Sequence, residues 1–271
     1  MDPIEANKIV YAKAAASYDE TEPHFFTENK SKVKKILQQI RLQSGPKLLD
    51  VGCGTGFIIN LAKDLFDEIH GVDISPEMLG RVDCSTGNIK LYKSEAENLI
   101  FEAEYFDVVT AYAFLHHLEN YEKVIKQVFR VLKKNGIFYI DLEPNKKYCD
   151  LVSNYKNYHN SQNSEVVKNE IRTICYADKK VEETYGIDCN IFNMSEYPRS
   201  VFGGINADDF LKIVKKIGFS DCKVFYEWYP GQGKIIHQQS EKDAEIIDHY
   251  LREIFPFSEC LFKYLRFIIT K

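Results

Sequence analysis

The 271-residue chain is 45% apolar, enough to fill the core of one large domain with a lid or of two small domains, which excludes a disordered or fibrous protein. Its formal net charge of -5 is spread over both halves without a long basic tract, which argues against a nucleic-acid or anionic-membrane footprint. No apolar run approaches the ~20 residues of a membrane-spanning helix, and the first residues lack the order of a signal peptide, so a cytoplasmic protein without a membrane span is expected.

In residues 29–42, Val33, Ile36, Leu37 and Ile40 recur at helical spacing and leave Lys30, Lys32, Lys34 and Lys35 as a solvated face. The period then changes. Lys47-Leu48-Leu49-Asp50-Val51 is a short apolar run ended by glycines, the pattern of a strand buried on both faces. Similar runs follow at 68–73, 89–93, 106–111 and 136–142, with helical stretches between several of them. That alternation predicts an α/β fold, doubly wound, with strands paired mostly in parallel through right-handed crossovers.

A helix is predicted over 121–133, where lysines at its end complement the dipole and Gly136 is expected to take the left-handed capping conformation. Beyond Leu142 the alternation stops. Residues 144–204 are polar and rich in tyrosine, with Tyr148, Tyr155, Tyr158, Tyr176, Tyr185 and Tyr197, and are read as an inserted lid or cap. Those tyrosines either line an acceptor pocket or fill a small satellite core. Asn206-Ala207-Asp208-Asp209 has the form of an N-cap with an acidic first turn, opening a helix that runs to Gly218. Strands are predicted at 222–228 and 261–270, with a helical insertion around 244–254. The seven cysteines form no CxxC pair, and no Cys or His spacing matches a chelating pair, so free thiols and no metal are expected.

The chemistry is concentrated in Leu48-Leu49-Asp50-Val51-Gly52-Cys53-Gly54-Thr55-Gly56, a strand running into a glycine-rich turn and then a helix. Such a turn, at the carboxyl edge of a parallel sheet, is where open α/β proteins bind nucleotides. The spacing is G-x-G-x-G, which fits neither the dinucleotide fingerprint G-x-G-x-x-G nor a phosphate-binding loop ending in Gly-Lys-Ser/Thr. Asp50, directly before the turn, disfavours an anionic ligand and suits a cation such as a sulfonium with an α-ammonium group. Asp73, ending Gly71-Val72-Asp73-Ile74-Ser75, stands where an acid accepts hydrogen bonds from ribose hydroxyls.

With these motifs in order, the chain resembles the class I S-adenosylmethionine-dependent methyltransferases, near the small-molecule branch that includes quinone and type 11 enzymes. Phe106-Asp107-Val108-Val109, Leu115-His116-His117-Leu118 and Val131-Leu132-Lys133-Lys134-Asn135-Gly136 complete the family sequence. Ile137 departs from it, standing where the family often has a second glycine. The resemblance covers the first half to two thirds of the chain. It implies a Rossmann-like sheet of seven strands, formed by residues 1–143 and 205–271 with N-terminal helices in 1–45, and a substrate cap at 144–204.

By the same resemblance, Gly52, Gly54 and Gly56 would give room to the methionine part of S-adenosylmethionine, and Asp50 would hold its ammonium, often through water. Asp73 would clasp the ribose, while Ile74 and Met78 would pack on the adenine. Glu95 and Ala96 would meet the adenine edge, although relatives commonly have Asp at the position of Glu95. Tyr11 and Tyr18 match an N-terminal element whose second aromatic lies over the cofactor. His116 is the candidate for a catalytic contact, ahead of His117; Tyr148, Tyr197 and Arg199 are candidates for the acceptor. Each has a plainer reading: a structural histidine, core tyrosines, a surface arginine. The expected reaction is in-line methyl transfer to O, N or C of a small molecule, releasing S-adenosylhomocysteine. The alternatives are an RNA or protein methyltransferase, or a cofactor-binding protein without turnover.

Overall fold

The structure is a computed structural model and describes residues 1–156 and 162–271. Seven strands form one sheet: β1 (Lys47–Val51), β2 (Glu68–Asp73), β3 (Ile89–Lys93), β4 (Phe106–Tyr112), β5 (Leu132–Pro144), β6 (Asp221–Glu227) and β7 (Tyr264–Thr270). Their spatial order is β3-β2-β1-β4-β5-β7-β6. β1 to β5 pair in parallel, and β7 runs antiparallel to both β5 and β6. The expected doubly wound, mostly parallel architecture is therefore present, with its order reversing between β1 and β4. At that switch point two adjacent crossovers leave on opposite faces and open a crevice at the carboxyl ends of the strands.

Alternation along the strands divides the core into two layers. Leu49, Val51, Val109, Phe138 and Ile140 face one side, against α6 (Tyr121–Val131), α12 (Ala207–Ile217) and α14 (Glu241–Glu253). Leu48, Ile69, Val108 and Tyr139 face the other, against α3 (Thr27–Gln43) and α4 (Phe57–Ala62). Helix α3 buries Val33, Leu37 and Ile40 at the predicted spacing. At the start of α12 the Asn206 side chain accepts from the Asp209 N–H at 3.1 Å, and Gly218 ends the helix at φ 114. Both caps match the sequence.

The end of α6 differs from expectation. The helix stops at Val131, and the next residues already belong to β5. Asn135, at φ 63, takes the left-handed conformation assigned to Gly136. Asn tolerates that region better than most residues. Gly136 answers to space instead: a Cβ there would stand 2.8 Å from the Lys133 carbonyl oxygen and 3.1 Å from that of Asp107.

Between β5 and α12 the described residues form five α-helices: α7 (Lys146–Tyr155), α8 (Glu165–Cys175), α9 (Ala177–Tyr185), α10 (Cys189–Ser195) and α11 (Tyr197–Phe202). α7 and α8 enclose a small core of Tyr148, Val152 and Ile171. The N-terminal α1 (Pro3–Ala14) packs on α9 and α10 through Val10, Ile187 and Phe192. The helical insertion before β7 is split into α13 (Gln232–Gln238) and α14.

The antiparallel edge is tied by a buried charge network. Arg266 on β7 reaches Asp141 on β5 and Glu227 on β6, each at 2.8 Å, and Lys32 on α3 pairs with Glu227. Among the described residues, no helix is long and apolar enough to cross a membrane, and the seven cysteines are free.

Candidate functional site

The carboxyl ends of β1, β2 and β4 open into a cavity of about 330 Å³. Asp50, one residue before the end of β1, lies beside Gly71 of β2 and Thr110 of β4. Its side chain, 2% exposed, accepts from the Thr110 hydroxyl at 2.6 Å. A neutral hydroxyl does not replace the water that a carboxylate loses on burial. Burial accordingly pushes the Asp50 carboxyl up to about 7, with the Thr110 bond opposing and the Asp73 charge adding to the rise. A cation delivered into this cavity would restore its ionised form.

Asp73, at the end of β2, accepts from the Gly54 N–H and from the Ser75 N–H, each at 2.9 Å. Burial raises its pKa, and these backbone donors hold the rise in check. The Gly54 contact fastens the glycine turn to the neighbouring strand. Gly52 and Gly54 both have positive φ, 69 and 52. At Gly52 a Cβ would fall 2.1 Å from the Phe114 ring, whereas at Gly54 it would meet nothing within 4 Å. The turn thus needs its first glycine for packing and its second for backbone shape. Gly56 opens α4 in the left-handed conformation.

The wall opposite the glycines is built from the N-terminus. Tyr11 on α1, Tyr18 on α2 (Tyr18–Thr21) and His24 in the turn Pro23–Phe25 all line the cavity. Tyr11 and Tyr18 meet edge to face with ring centroids 5.9 Å apart. The Thr55 hydroxyl donates to Asp19 at 2.6 Å and ties this segment to the glycine turn. Burial lowers the pKa of His24 to about 3, with Lys30 adding to the effect, so this ring is neutral near neutral pH.

Behind that wall lies a second chamber of about 250 Å³, which shares Tyr11, Tyr18, His24, Ala113 and His117 with the first. Its far side comes from α8 to α11 and from β7, bringing Lys180, Glu196, Arg199 and Lys263. Ala113, at φ 50, turns the chain off β4 into the short turn Leu115–His117. There the backbone N–H groups of Phe114, Leu115 and His116 donate to the Glu143 carboxylate at 2.8 to 3.1 Å. His116 Nδ1 lies 2.9 Å from the same carboxylate, and Glu143 is wholly buried. Next to it, His117 spans Glu196, 3.1 Å from Nδ1, and the Tyr11 hydroxyl, 3.0 Å from Nε2. Burial works to lower the His117 pKa, but Glu196 raises it above the ordinary imidazole value. Burial likewise works to raise Glu196, and His117, His116 and Arg199 bring it well below the usual carboxylate range.

The fold brings Tyr18, Asp50, Gly52, Gly54, Asp73, Ile74, Met78, Glu95 and Ala96 together on the first cavity. Ala96 is buried and Glu95 exposed at the rim. Two residues expected on the acceptor side lie away from both cavities. Tyr148 is 1% exposed, donates to Glu170 at 2.7 Å and belongs to the small core of α7 and α8. Tyr197 packs on Phe202 within α11. Neither lines the two cavities: Tyr148 finds its burial against the next helix, and Tyr197 makes its ring contact within its own. Arg199 does face the second chamber, yet its guanidinium is already bound to Glu196 at 3.2 Å and to the Thr173 carbonyl at 2.8 Å. Tyr185 reaches the same chamber, and Tyr158 lies outside the described residues. His116 borders only the second chamber, whereas His117 borders both.

Sequence reading passed over Glu143 and Glu196. An acid at the carboxyl end of a parallel strand had marked Asp50 and Asp73, and the same signal was present at Glu143. Glu196 carried none, since its role exists only through a contact with a distant turn.

Residues 49–140 match the methyltransferase domain family. A demethylmenaquinone methyltransferase of Staphylococcus saprophyticus is 36% identical over 118 residues, which are 41% of this chain and 51% of that protein. The chain spans about half the length of the curated relatives it matches. Among solved structures, an S-adenosylmethionine dependent methyltransferase from Mesorhizobium loti superposes with a TM-score of 0.55 at 15% identity, covering 93% of this chain and 99% of that one. The [4+2]-cyclase SpnF superposes with a TM-score of 0.57 at 14% identity, covering 100% and 96%. At such identities the likeness shows the fold alone, and a cyclase on the same fold shows why the reaction must be argued from the site.

Proposed function

We propose that this chain, whose residues 49–140 match the methyltransferase domain family, binds S-adenosylmethionine in the first cavity and methylates a small molecule in the second. The observation that carries this reading is the buried pair Asp50 and Asp73 flanking a G-x-G-x-G turn. One carboxyl is left short of a cation, and the other is fixed by backbone donors with lone pairs to spare.

When bound, the cofactor supplies a methyl group already activated by its sulfonium. The protein's own residues bind, orient and exclude water. Asp50 takes the α-ammonium, and the open backbone at Gly54 accepts the amino-acid end. Asp73 receives the ribose hydroxyls on the lone pairs that Gly54 and Ser75 leave free. Met78, Ile74 and the Ala96 backbone hold the adenine, with Glu95 at the rim. Tyr11, Tyr18 and His117 border both cavities and mark where methyl donor and acceptor face each other. Fixing that line of approach supplies a large part of the barrier reduction.

Residues 144–204 serve as the substrate cap in this reading. The charged lining of the second chamber, with Glu22, Lys180 and Lys263 beside Glu196 and Arg199, favours a small polar acceptor over an extended apolar quinone. The test is release of S-adenosylhomocysteine on incubation with fractionated small metabolites. Acceptor-dependent release that is lost in Asp73→Ala supports the reading. Cofactor binding without release from any fraction points to a binding protein or a different reaction on this fold, and no binding at all overturns the assignment.

A further inference from the structure

We propose that His116, His117 and Glu196 form a site for one divalent transition-metal ion, open to the second chamber, that holds an oxygen of the acceptor. The acceptor role rests on the methyl-transfer reading; the binding of the ion does not.

One ring nitrogen from each of His116 and His117 and one Glu196 oxygen lie within 4.8 Å of one another. Two donors bonded at about 2.1 Å to one ion stand at most about 4.2 Å apart. His117 Nδ1 lies 3.1 Å from Glu196 Oε1 and His116 Nε2 lies 3.9 Å from Glu196 Oε2, so each histidine is within that limit of one oxygen of the carboxylate, and a small closure of the set would bring all three donors onto one ion. Two imidazoles and a carboxylate suit iron(II), manganese, cobalt or zinc and leave coordination positions for other ligands. All three residues line the chamber.

The surroundings are arranged as metal-bound histidines require, with the far ring nitrogen of each engaged. His116 Nδ1 faces Glu143 at 2.9 Å, and that carboxylate is anchored by the three backbone N–H groups of the turn. His117 Nε2 faces the Tyr11 hydroxyl at 3.0 Å. With Nδ1 of His116 donating to Glu143 and Nε2 of His117 donating to the Tyr11 hydroxyl, the other two ring nitrogens are free for an ion beside Glu196; without one, His117 Nδ1 lies 3.1 Å from Glu196 and 3.3 Å from the Ser195 carbonyl oxygen, where a ring proton serves instead. Two buried carboxylates, Glu143 and Glu196, stand against one guanidinium, Arg199, which orients Glu196 from 3.2 Å. Glu143 and Glu196 together outweigh Arg199 by one negative charge, which a proton on His117 or a bound cation would balance. Sequence spacing gave no sign of it, because two adjacent histidines become a chelating pair only when a tight turn sets their rings 4.1 Å apart.

The experiment is a visible-absorption titration of the metal-stripped full chain with cobalt(II). One equivalent should bind, giving d–d bands without sulfur-to-cobalt charge transfer, which separates this site from the free thiols. His116→Ala and Glu196→Gln should each weaken binding at least tenfold, and Tyr11→Phe, which removes one hydroxyl, about tenfold. His249→Ala, at an exposed histidine, should leave it unchanged. Circular dichroism and S-adenosylhomocysteine binding verify that each variant is folded. Absence of one-equivalent binding, a thiolate band, or undiminished affinity in Glu196→Gln would overturn the site. Asp50→Asn separates the two readings: it should lose the cofactor and keep the cobalt. Cobalt binding without methyl transfer leaves the metal site standing alone, and methyl transfer without cobalt binding removes it.

Discussion

A buried acid such as Asp50 is a compromise between stability and binding. Its carboxyl titrates at about 7 because burial disfavours the charge, with Asp73 nearby and the Thr110 hydroxyl as partial relief. Binding an ammonium requires the ionised form, so a proton must leave at lower pH. Affinity for S-adenosylhomocysteine should be level above about pH 8 and fall about tenfold per unit below pH 7, measured by calorimetry. Asp50→Asn should bind weakly and lose that pH dependence. The sign for stability is opposite. An acid whose folded pKa is raised binds more protons folded than unfolded, so its contribution falls as pH rises from about 4, the unfolded value, to about 7. Unliganded Asp50→Asn should therefore melt above the parent protein at pH 8, and a lower melting temperature there would contradict this account.

At the level of elements, the network of Arg266 holds β5, β6, β7 and α3 together. Arg266→Met leaves Asp141 and Glu227 as buried charges without their shared partner. Losing one side of such a pair costs about 3–5 kcal/mol, to be read from urea unfolding. The α6–β5 connection offers a second test. Asn135→Ala must hold a left-handed backbone at a cost of about 1 kcal/mol. Gly136→Ala should cost more, because its methyl has no room beside the Lys133 carbonyl. Equal costs would mean that conformation, not space, governs both positions. Strand positions, and caps such as Asn206 and Gly218, were legible because they depend on neighbours a few residues away. The end of α6 was not, since Gly136 is constrained by Asp107 on another strand.

Across the whole molecule, the N-terminal segment closes the first cavity and also forms part of the partition from the second. Pro3, Asn7, Tyr11, Tyr18 and His24 line the first cavity, while the Asn7 amide donates to the Ser195 carbonyl at 3.1 Å. In the proposed reading, cofactor occupancy should hold this segment in place. S-adenosylhomocysteine should slow amide exchange in residues 3–25 more than in α12 or β7, measured by mass spectrometry. Equal protection in both regions would contradict a closing role.

The sequence by itself determined the α/β alternation, the glycine turn with Asp50 and Asp73, and the family they point to. All of these rest on short-range pattern: period, turn chemistry, and acids at strand ends. Only the tertiary structure decided that Tyr148 and Tyr197 stand away from both cavities, that Arg199 answers to Glu196, and that His117 rather than His116 borders both cavities. It also drew Glu143 and Glu196 to the histidine turn. Those outcomes depend on which helix of the insert finds which partner, a long-range choice made by burial and charge pairing that leaves no periodic mark in the chain.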